Sequence, residues 1–333
     1  MIVLIVLIVS FEKGPGVHVT EPRPHSLFSF GTLMDERVQK TLFGRSVPTS
    51  GAALSGYATR PLPITDPAVI AASGLDVHLT LECAIGSEVP GAVLHLTDDE
   101  LAAADAYEVD DYIRRRVCLS SGEPAWAYLD ANPLRAAARI VIVGDSIAYG
   151  RCDPQGGWAA RLAASHIAAN ETGHRVFNLA VPGSTLTDVS AQTPALLAPR
   201  LPDTLLVAAG INDSALPAAA QTPLPDADGD GLARLTADLD SLAATALAHR
   251  ARLVIAGPAW LDESRTASYE GLRFTRARAS ALRESLRTWC TAHHVDFLDL
   301  WEPLRDRPDL LVDGIHPTPE GHQALYRHLT TSP

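Results

Sequence analysis

Serine, histidine and aspartate are the residue types that together turn a weak hydroxyl into a nucleophile at neutral pH, and this chain carries one of each at suggestive places. Asp145 and Ser146 directly follow the apolar run RIVIVG, where Gly144 lets the chain turn tightly. Near the C-terminal end, DGIHPTPEGH sets Asp313 three residues before His316. Between them, Gly183 follows a second apolar run in NLAVPGST, and AAGINDS places Gly210 and Asn212 directly after a third. Each has a plainer reading when taken alone. A serine after a strand is commonly a helix cap, Gly183 a turn glycine, Asn212 and Asp213 turn residues or caps, and His316 a surface-loop histidine. His322, six residues further on, reads as packing against or capping the last helix. One shared site is the more economical account of the whole set.

A second group lies earlier in the chain. FGTLMDERVQKTLFGR opens with a strand that ends in a turn at Phe30, Gly31, Thr32 and Leu33, and backbone N–H groups at such a turn can point at an anionic ligand. LAAADAYEVDDYIRRRV places Glu108 at the end of a short helical segment, before a basic strand. Alone, Glu108 reads as a solvated helix carboxylate and Gly31 as an ordinary turn. PDADGDG, with Asp226, Asp228, Asp230 and Gly231, imitates the start of a calcium loop, but Ala237 stands where a bidentate Glu should close it, so an exposed polar loop is expected. His293 and His294 are adjacent and do not share a helical face. No metal site and no cofactor is expected.

The elements that must position these groups fall into two patterns. From Ser26 to about Leu129, LFSFGTL, DVHLTLECAIG, GAVLHL, YIRRRVCLS and PAWAYL are short apolar or alternating runs separated by turn residues, with DDELAAADAYE as a short helix among them. This predicts a smaller α+β, barrel-like unit. DANPLRAAA breaks the rhythm, and beyond it short buried strands (RIVIVG, HRVFNLAV, TLLVAAG, RLVIAGPAW, VDFLDL) alternate with helical stretches such as GWAARLAASHIAAN and RARASALRESLRTWCTAH. Such alternation predicts an α/β fold, a doubly wound parallel sheet in a three-layer sandwich. In such sheets the site lies outside the carboxyl ends of the strands, where Ser146, Gly183 and Asn212 are expected. The expected division is an N-terminal extension over 1–24, a first domain over 25–130, a linker over 131–138 and a second domain over 139–333.

Composition excludes several partners. An apolar fraction of 47% fills real cores, and a net charge of −12 repels phosphate backbones and anionic membrane surfaces, so neither nucleic acid nor stable membrane association is expected. Cys83, Cys118, Cys152 and Cys290 lie far apart with no CxxC spacing, which fits reduced thiols in the cytoplasm. The opening MIVLIVLIVS has nine apolar residues in ten but is too short to span a bilayer and lacks a basic n-region. It reads as an extra strand or an early start codon, with export as the alternative. Composition leaves oligomeric state open.

The C-terminal blocks together resemble the SGNH (GDSL-like) hydrolase family: GDSI with Ser146, Gly183, GIND with Asn212, and DGIHP with Asp313 and His316, over roughly Arg139 to the end of the chain. The resemblance implies a flavodoxin-like sandwich that hydrolyses an ester, less often an amide or thioester, through an acyl-enzyme, or transfers the acyl group. His316 would take the Ser146 proton and return it to the leaving group, and Asp313 would fix the imidazole. The oxyanion would be met by the backbone N–H of Ser146, that of Gly183 and the Asn212 amide.

The earlier blocks resemble the γ-glutamylcyclotransferase-like (AIG2-like) family over about Leu27 to Leu129. The YGTL-type loop stands as Phe30 to Leu33, the GxVxxL strand as Gly91 to Leu96, and the segment with the family's glutamate as Asp105 to Arg114. Glu108 would shuttle the proton of a γ-glutamyl α-amine as it attacks its own side-chain amide, with the Gly31 to Leu33 backbone holding the substrate. Phe30 replaces the usual Tyr and Val109 the usual Gly; neither change removes Glu108. The expectation is a two-domain enzyme acting on small acyl and γ-glutamyl substrates, the alternative being an esterase whose first domain only binds.

Overall fold

A computed structural model describes residues 23–63, 77–218 and 229–331. The apolar opening segment and Asp226 and Asp228 of the calcium-like run lie outside the described residues, and a helix begins at Gly229, inside that run.

The first domain is built on a five-stranded mixed sheet. Its strands are β1 (His25–Ser29), β2 (Thr49–Pro63), β3 (Val77–Leu96), β4 (Tyr112–Cys118) and β5 (Pro124–Asp130), in the order β2-β3-β1-β5-β4. The two runs expected as separate strands, DVHLTLECAIG and GAVLHL, are one strand of 20 residues. Pro90 interrupts the apolar pattern but stays paired to β2, whereas Gly86 at φ 82° lies in a bulge where the register jumps from Ser55↔Glu88 to Tyr57↔Cys83. The two edges approach each other where Ser120 N–H, in the turn past β4, donates to Ala53 O in β2 at 2.9 Å. That approach curves the sheet without pairing its edge strands. One face packs Phe28, Leu54, Val93 and Ala127 together. The other carries Leu27, Leu94 and Leu96 against α1 (Glu36–Phe43) and α2 (Asp98–Tyr107). A capping box between Thr97 and Glu100, with three acids in the first turn, starts α2.

The second domain is a parallel sheet of β6 (Arg139–Gly144), β7 (Arg175–Asn178), β8 (Thr204–Ala208), β10 (Arg252–Ala256) and β12 (Asp296–Leu298), in the order β12-β10-β8-β6-β7. This is the flavodoxin-like order, and its switch point falls between β6 and β8. Successive residues point to opposite faces. Ile140, Ile142, Leu206 and Val254 pack with Trp158 and Leu325 on one side, and Val141, Val143, Leu205, Val207 and Ile255 with Leu186, Leu239 and Leu286 on the other. The covering helices are α4 (Gly157–Ala169) and α8 (Pro319–Thr331) on the first face, and α5 (Leu186–Leu197), α6 (Gly229–Ala248) and α7 (Arg276–His293) on the second. The four-residue α3 (Ser146–Tyr149) follows β6, and a small antiparallel pair joins β9 (Leu216–Pro217) to β11 (Leu272–Arg273).

The first domain docks on the amino ends of these strands. Arg115 of β4 and Arg252 at the start of β10 share the carboxylate of Asp296 at the start of β12, at 2.8 Å from Arg115 Nη2 and 2.6 Å from Arg252 Nε. Arg252 also donates to the Asp130 carbonyl, and Cys83 N–H to that of Ala136. All three charged groups are buried, and the two guanidiniums hold Asp296 low although burial pushes its carboxyl up. Among the described residues no helix is long and apolar enough to cross a membrane, and all four cysteines are unpaired.

Candidate active site

β6 delivers Ser146 by ending in a glycine that its neighbour demands. A side chain on Gly144 would place its Cβ 2.1 Å from the Ala208 carbonyl oxygen of β8, so only glycine lets the strands run this close at the switch point. Asp145 then caps the turn, accepting from Ile147 N–H at 2.9 Å, and Ser146 becomes the first residue of α3. Its Oγ lies 2.8 Å from His316 Nε2, and His316 Nδ1 lies 2.7 Å from Asp313 Oδ2. With Nδ1–H donating a hydrogen bond to the carboxylate, the imidazole leaves Nε2 free to accept the serine proton. Ser146 and His316 are 5% and 3% exposed, a setting that strengthens both hydrogen bonds.

Asp313 is fixed by its own loop, its other oxygen accepting from Ile315 N–H at 3.0 Å and His316 N–H at 2.9 Å. Burial alone would lift this carboxyl; the hydrogen bonds from His316 and Ile315 hold it well below the usual carboxylate range. It is therefore ionised whenever the imidazole must become a cation. Asp145 behaves oppositely: burial drives it up to about 7 despite its backbone hydrogen bonds.

Gly183 follows β7 at φ 86°, a left-handed conformation suited to glycine. Asn212 sits after β8 and donates one amide hydrogen to Ser184 O at 2.9 Å, which fixes its plane and leaves the second hydrogen unassigned. Asp213 accepts from Leu186 N–H at 3.0 Å and ties this turn to the start of α5; burial raises it to about 6. His322 does not join the site. It is fully buried, accepting from Trp158 N–H at 3.4 Å and donating to Arg151 O at 3.1 Å, and so holds the loop after α3 against α8.

Two neighbours of the triad were not anticipated from the sequence. Tyr269 packs its ring 5.9 Å from that of His316, and its phenol is pushed up to about 12, first by burial and then by the Asp313 charge. Cys152, in a left-handed conformation at φ 71°, places its donor atom within 4.8 Å of those of Asp313 and His316. These three could in principle hold a metal ion. Both imidazole nitrogens are already committed, to Ser146 and to Asp313, so a metal there would dismantle the serine–histidine pair.

In the first domain, Phe30 is half-buried after β1, Gly31 and Thr32 are exposed, and the Leu33 side chain belongs to the core. Glu108 ends α2, its N–H donating to Ala104 O at 3.2 Å. Asp105 braces this corner, accepting from Arg114 Nε and from the Tyr128 hydroxyl at 2.8 Å each. Burial raises Glu108 to about 7, and its charge acts on the Tyr112 and Tyr128 phenols. A carboxyl poised near neutrality suits proton shuttling. Among the described residues no hydrogen bond joins Glu108 to the Phe30–Leu33 turn.

Comparison with known proteins divides the chain in the same order. Residues 142–324 match the GDSL-like Lipase/Acylhydrolase family and residues 27–146 the Gamma-glutamyl cyclotransferase, AIG2-like family. No curated protein matches. Among solved structures, a lipase/acylhydrolase from Enterococcus faecalis is 20% identical, with TM-score 0.46 over 57% of this chain and 93% of that one. TesA is 22% identical, with TM-score 0.45 over 57% and 95%.

Proposed function

The chain belongs to the GDSL-like lipase/acylhydrolase family through residues 142–324, with an AIG2-like cyclotransferase domain ahead of it, and from that premise we propose a two-domain enzyme in which each domain runs its own acyl chemistry. The second domain hydrolyses carboxylic esters, or amides, through an acyl-enzyme. The observation that carries this reading is the unbroken line from Ser146 Oγ through His316 to Asp313, at 2.8 and 2.7 Å.

The steps follow from that line. Ser146 Oγ attacks the carbonyl carbon while His316 takes its proton, and Asp313 steadies the imidazolium. The oxyanion is received by the N–H groups of Ser146 and Gly183 and the free hydrogen of the Asn212 amide. The leaving alcohol departs with the proton from His316. Water, deprotonated by His316, then attacks the acyl-serine, and the acid leaves as Ser146 is reprotonated. Fluorophosphonate labelling tests the nucleophile: wild type is expected to label and Ser146→Ala to stay unlabelled. Equal labelling of both would end the assignment.

In the first domain, the α-amine of a γ-glutamylamine attacks its own γ-carbonyl, closing the ring of 5-oxoproline and expelling the amine. Glu108 accepts the proton from the attacking nitrogen and gives it to the departing one; its half-buried carboxyl near 7 supports this role. The Gly31 to Leu33 backbone holds the substrate. Purified protein incubated with γ-glutamylamines is expected to release 5-oxoproline, and Glu108→Gln to abolish it while sparing ester hydrolysis. If no γ-glutamylamine yields 5-oxoproline, the first domain binds rather than catalyses. The two sites are separate: the first domain docks at the amino ends of strands whose carboxyl ends carry Ser146, and five strand residues span about 17 Å. Four unpaired cysteines fit a cytoplasmic setting, and both substrates are small molecules.

A further inference from the structure

The seam between the two domains holds a half-open pocket of about 450 Å³ that neither proposed reaction uses. One wall is the sheet of the first domain, with Arg115, Arg116 and Trp126; the facing wall is Leu247, Ala292 and Val295 of the second. Arg252, His293 and His294 complete it, and no carboxylate lines it. In a chain of net charge −12 this is an inversion of the prevailing sign.

The nearby acids do not neutralise it. Asp296 is shared between Arg115 and Arg252, one negative charge for two positive, and Arg115 Nε is buried with no hydrogen-bond partner. Asp105 is engaged by Arg114, outside the cavity, and Asp240 lies 3.8 Å from His293. Arg116 is exposed, forms no ion pair among the described residues, and stacks 4.3 Å from the centre of the Trp126 ring. The His294 ring meets the edge of the same indole at 5.0 Å. Its pKa is pushed down, by burial first and then by Arg114 and Arg115, with Asp105 opposing.

We propose that this seam is a binding site for a small organic anion, its multiply charged oxyanion head against Arg116 and the Arg115–Arg252 pair, and its apolar body against Leu247, Ala292 and Val295. A bare phosphate would fill little of the volume, and the apolar wall gives it nothing to contact. The ligand is not the ester, because the cavity opens at the amino ends of β10 and β12. It touches both domains, so its binding favours the docked arrangement and raises the stability of the whole chain.

Phenyl phosphate is a suitable probe, titrated calorimetrically into the full-length protein at low salt beside inorganic phosphate. Saturable binding is expected, tighter for phenyl phosphate, with an accompanying rise in melting temperature. Arg116→Gln removes the head contact and Ala292→Trp fills the apolar wall. Both positions are exposed, so fold and ester hydrolysis are expected to persist, while phenyl phosphate affinity falls about tenfold or more, the worth of one charge-assisted hydrogen bond. Absence of saturable binding, equal affinity for inorganic phosphate, or unchanged affinity in both variants would overturn the proposal.

Discussion

Asp313 and Asp145 stand on either side of the same serine–histidine pair and are driven in opposite directions, which makes them separable by experiment. Asp313→Asn leaves a group that still hydrogen-bonds but cannot hold the imidazole in the tautomer that accepts from Ser146; ester turnover is expected to fall by about 10³–10⁴ in kcat with KM little changed. Asp145 takes up a proton on folding, because burial lifts it from the ordinary carboxyl range to about 7. Stability therefore declines as pH rises from about 4 to about 7, the window in which the folded state binds more protons than the unfolded one. Asp145→Asn keeps an oxygen for the Ile147 N–H, so melting curves from pH 5 to 8 should show a shallower decline and a higher midpoint at pH 8 than wild type. A steeper decline would contradict the burial account. Cys152 offers a third handle: iodoacetamide at pH 9 is expected to block ester hydrolysis by crowding Asp313 and His316, and Cys152→Ala to be resistant. Its thiol is pushed up, chiefly by burial and then by Asp313, so the reaction should be slow at neutral pH. Ser146, Asp313 and His316, which the structure brings within hydrogen-bond reach, each sit in a short local motif whose residue types the proposed chemistry restricts; Asn212 sits in such a motif too, and its hydrogen bond runs to Ser184 O. Cys152 and Tyr269 were not, since their role rests on folding that sets separate loops against His316, and nothing local marks that meeting.

At the scale of elements, the junction of β6 and β8 carries the serine, because Ser146 leaves one strand beside the Gly210–Asn212 turn that leaves the other, while Asp313 and His316 reach it from the loop before α8. Gly144→Ala tests how tightly that junction is built. The added methyl would lie 2.1 Å from Ala208 O, and neither backbone can move without shifting Ser146. The variant is expected to lose several kcal/mol of stability, by analogy with about 1–3 kcal/mol for ordinary overpacking, and most of its ester hydrolysis; a wild-type melting curve and turnover would show that the strands are looser than this. The strands of the second domain were readable because burial on both faces makes each a continuous apolar run. The first domain was harder. β2, TSGAALSGYATRPLP, does not show itself as a strand in the sequence: Gly51, Gly56 and two prolines dilute the pattern, and Gly56 at φ 86° sits in the register shift between Ser55 and Tyr57. α5 is hidden for a similar reason, with Pro194 inside a helix whose start is secured by a capping box between Thr185 and Asp188.

At the scale of the whole molecule, two domains that could have hung from a linker are instead locked by a buried charge cluster. Nothing in the sequence announces it: Arg115 looks like one of three arginines in mid-strand and Arg252 and Asp296 like ordinary strand-end charges, and they come together only when β4 of one domain meets the amino ends of β10 and β12 of the other. The desolvation of three ions is offset by their mutual attraction, so the cluster adds little net stability over an apolar equivalent but is costly to break. Asp296→Ala leaves two buried guanidiniums facing each other, and the loss should be about 3–5 kcal/mol. Because the cluster spans the seam, that loss falls on docking as well as on folding of the second domain. Wild type is therefore expected to unfold in a single denaturant transition and Asp296→Ala in two, with Arg115→Met, which removes only the first domain's charge, weakening docking while leaving the Arg252–Asp296 pair intact. Ester hydrolysis measured at low denaturant distinguishes the cases: Arg115→Met should retain it, since Ser146 lies at the far ends of the strands, and its loss would mean that the first domain supports the serine site through the sheet.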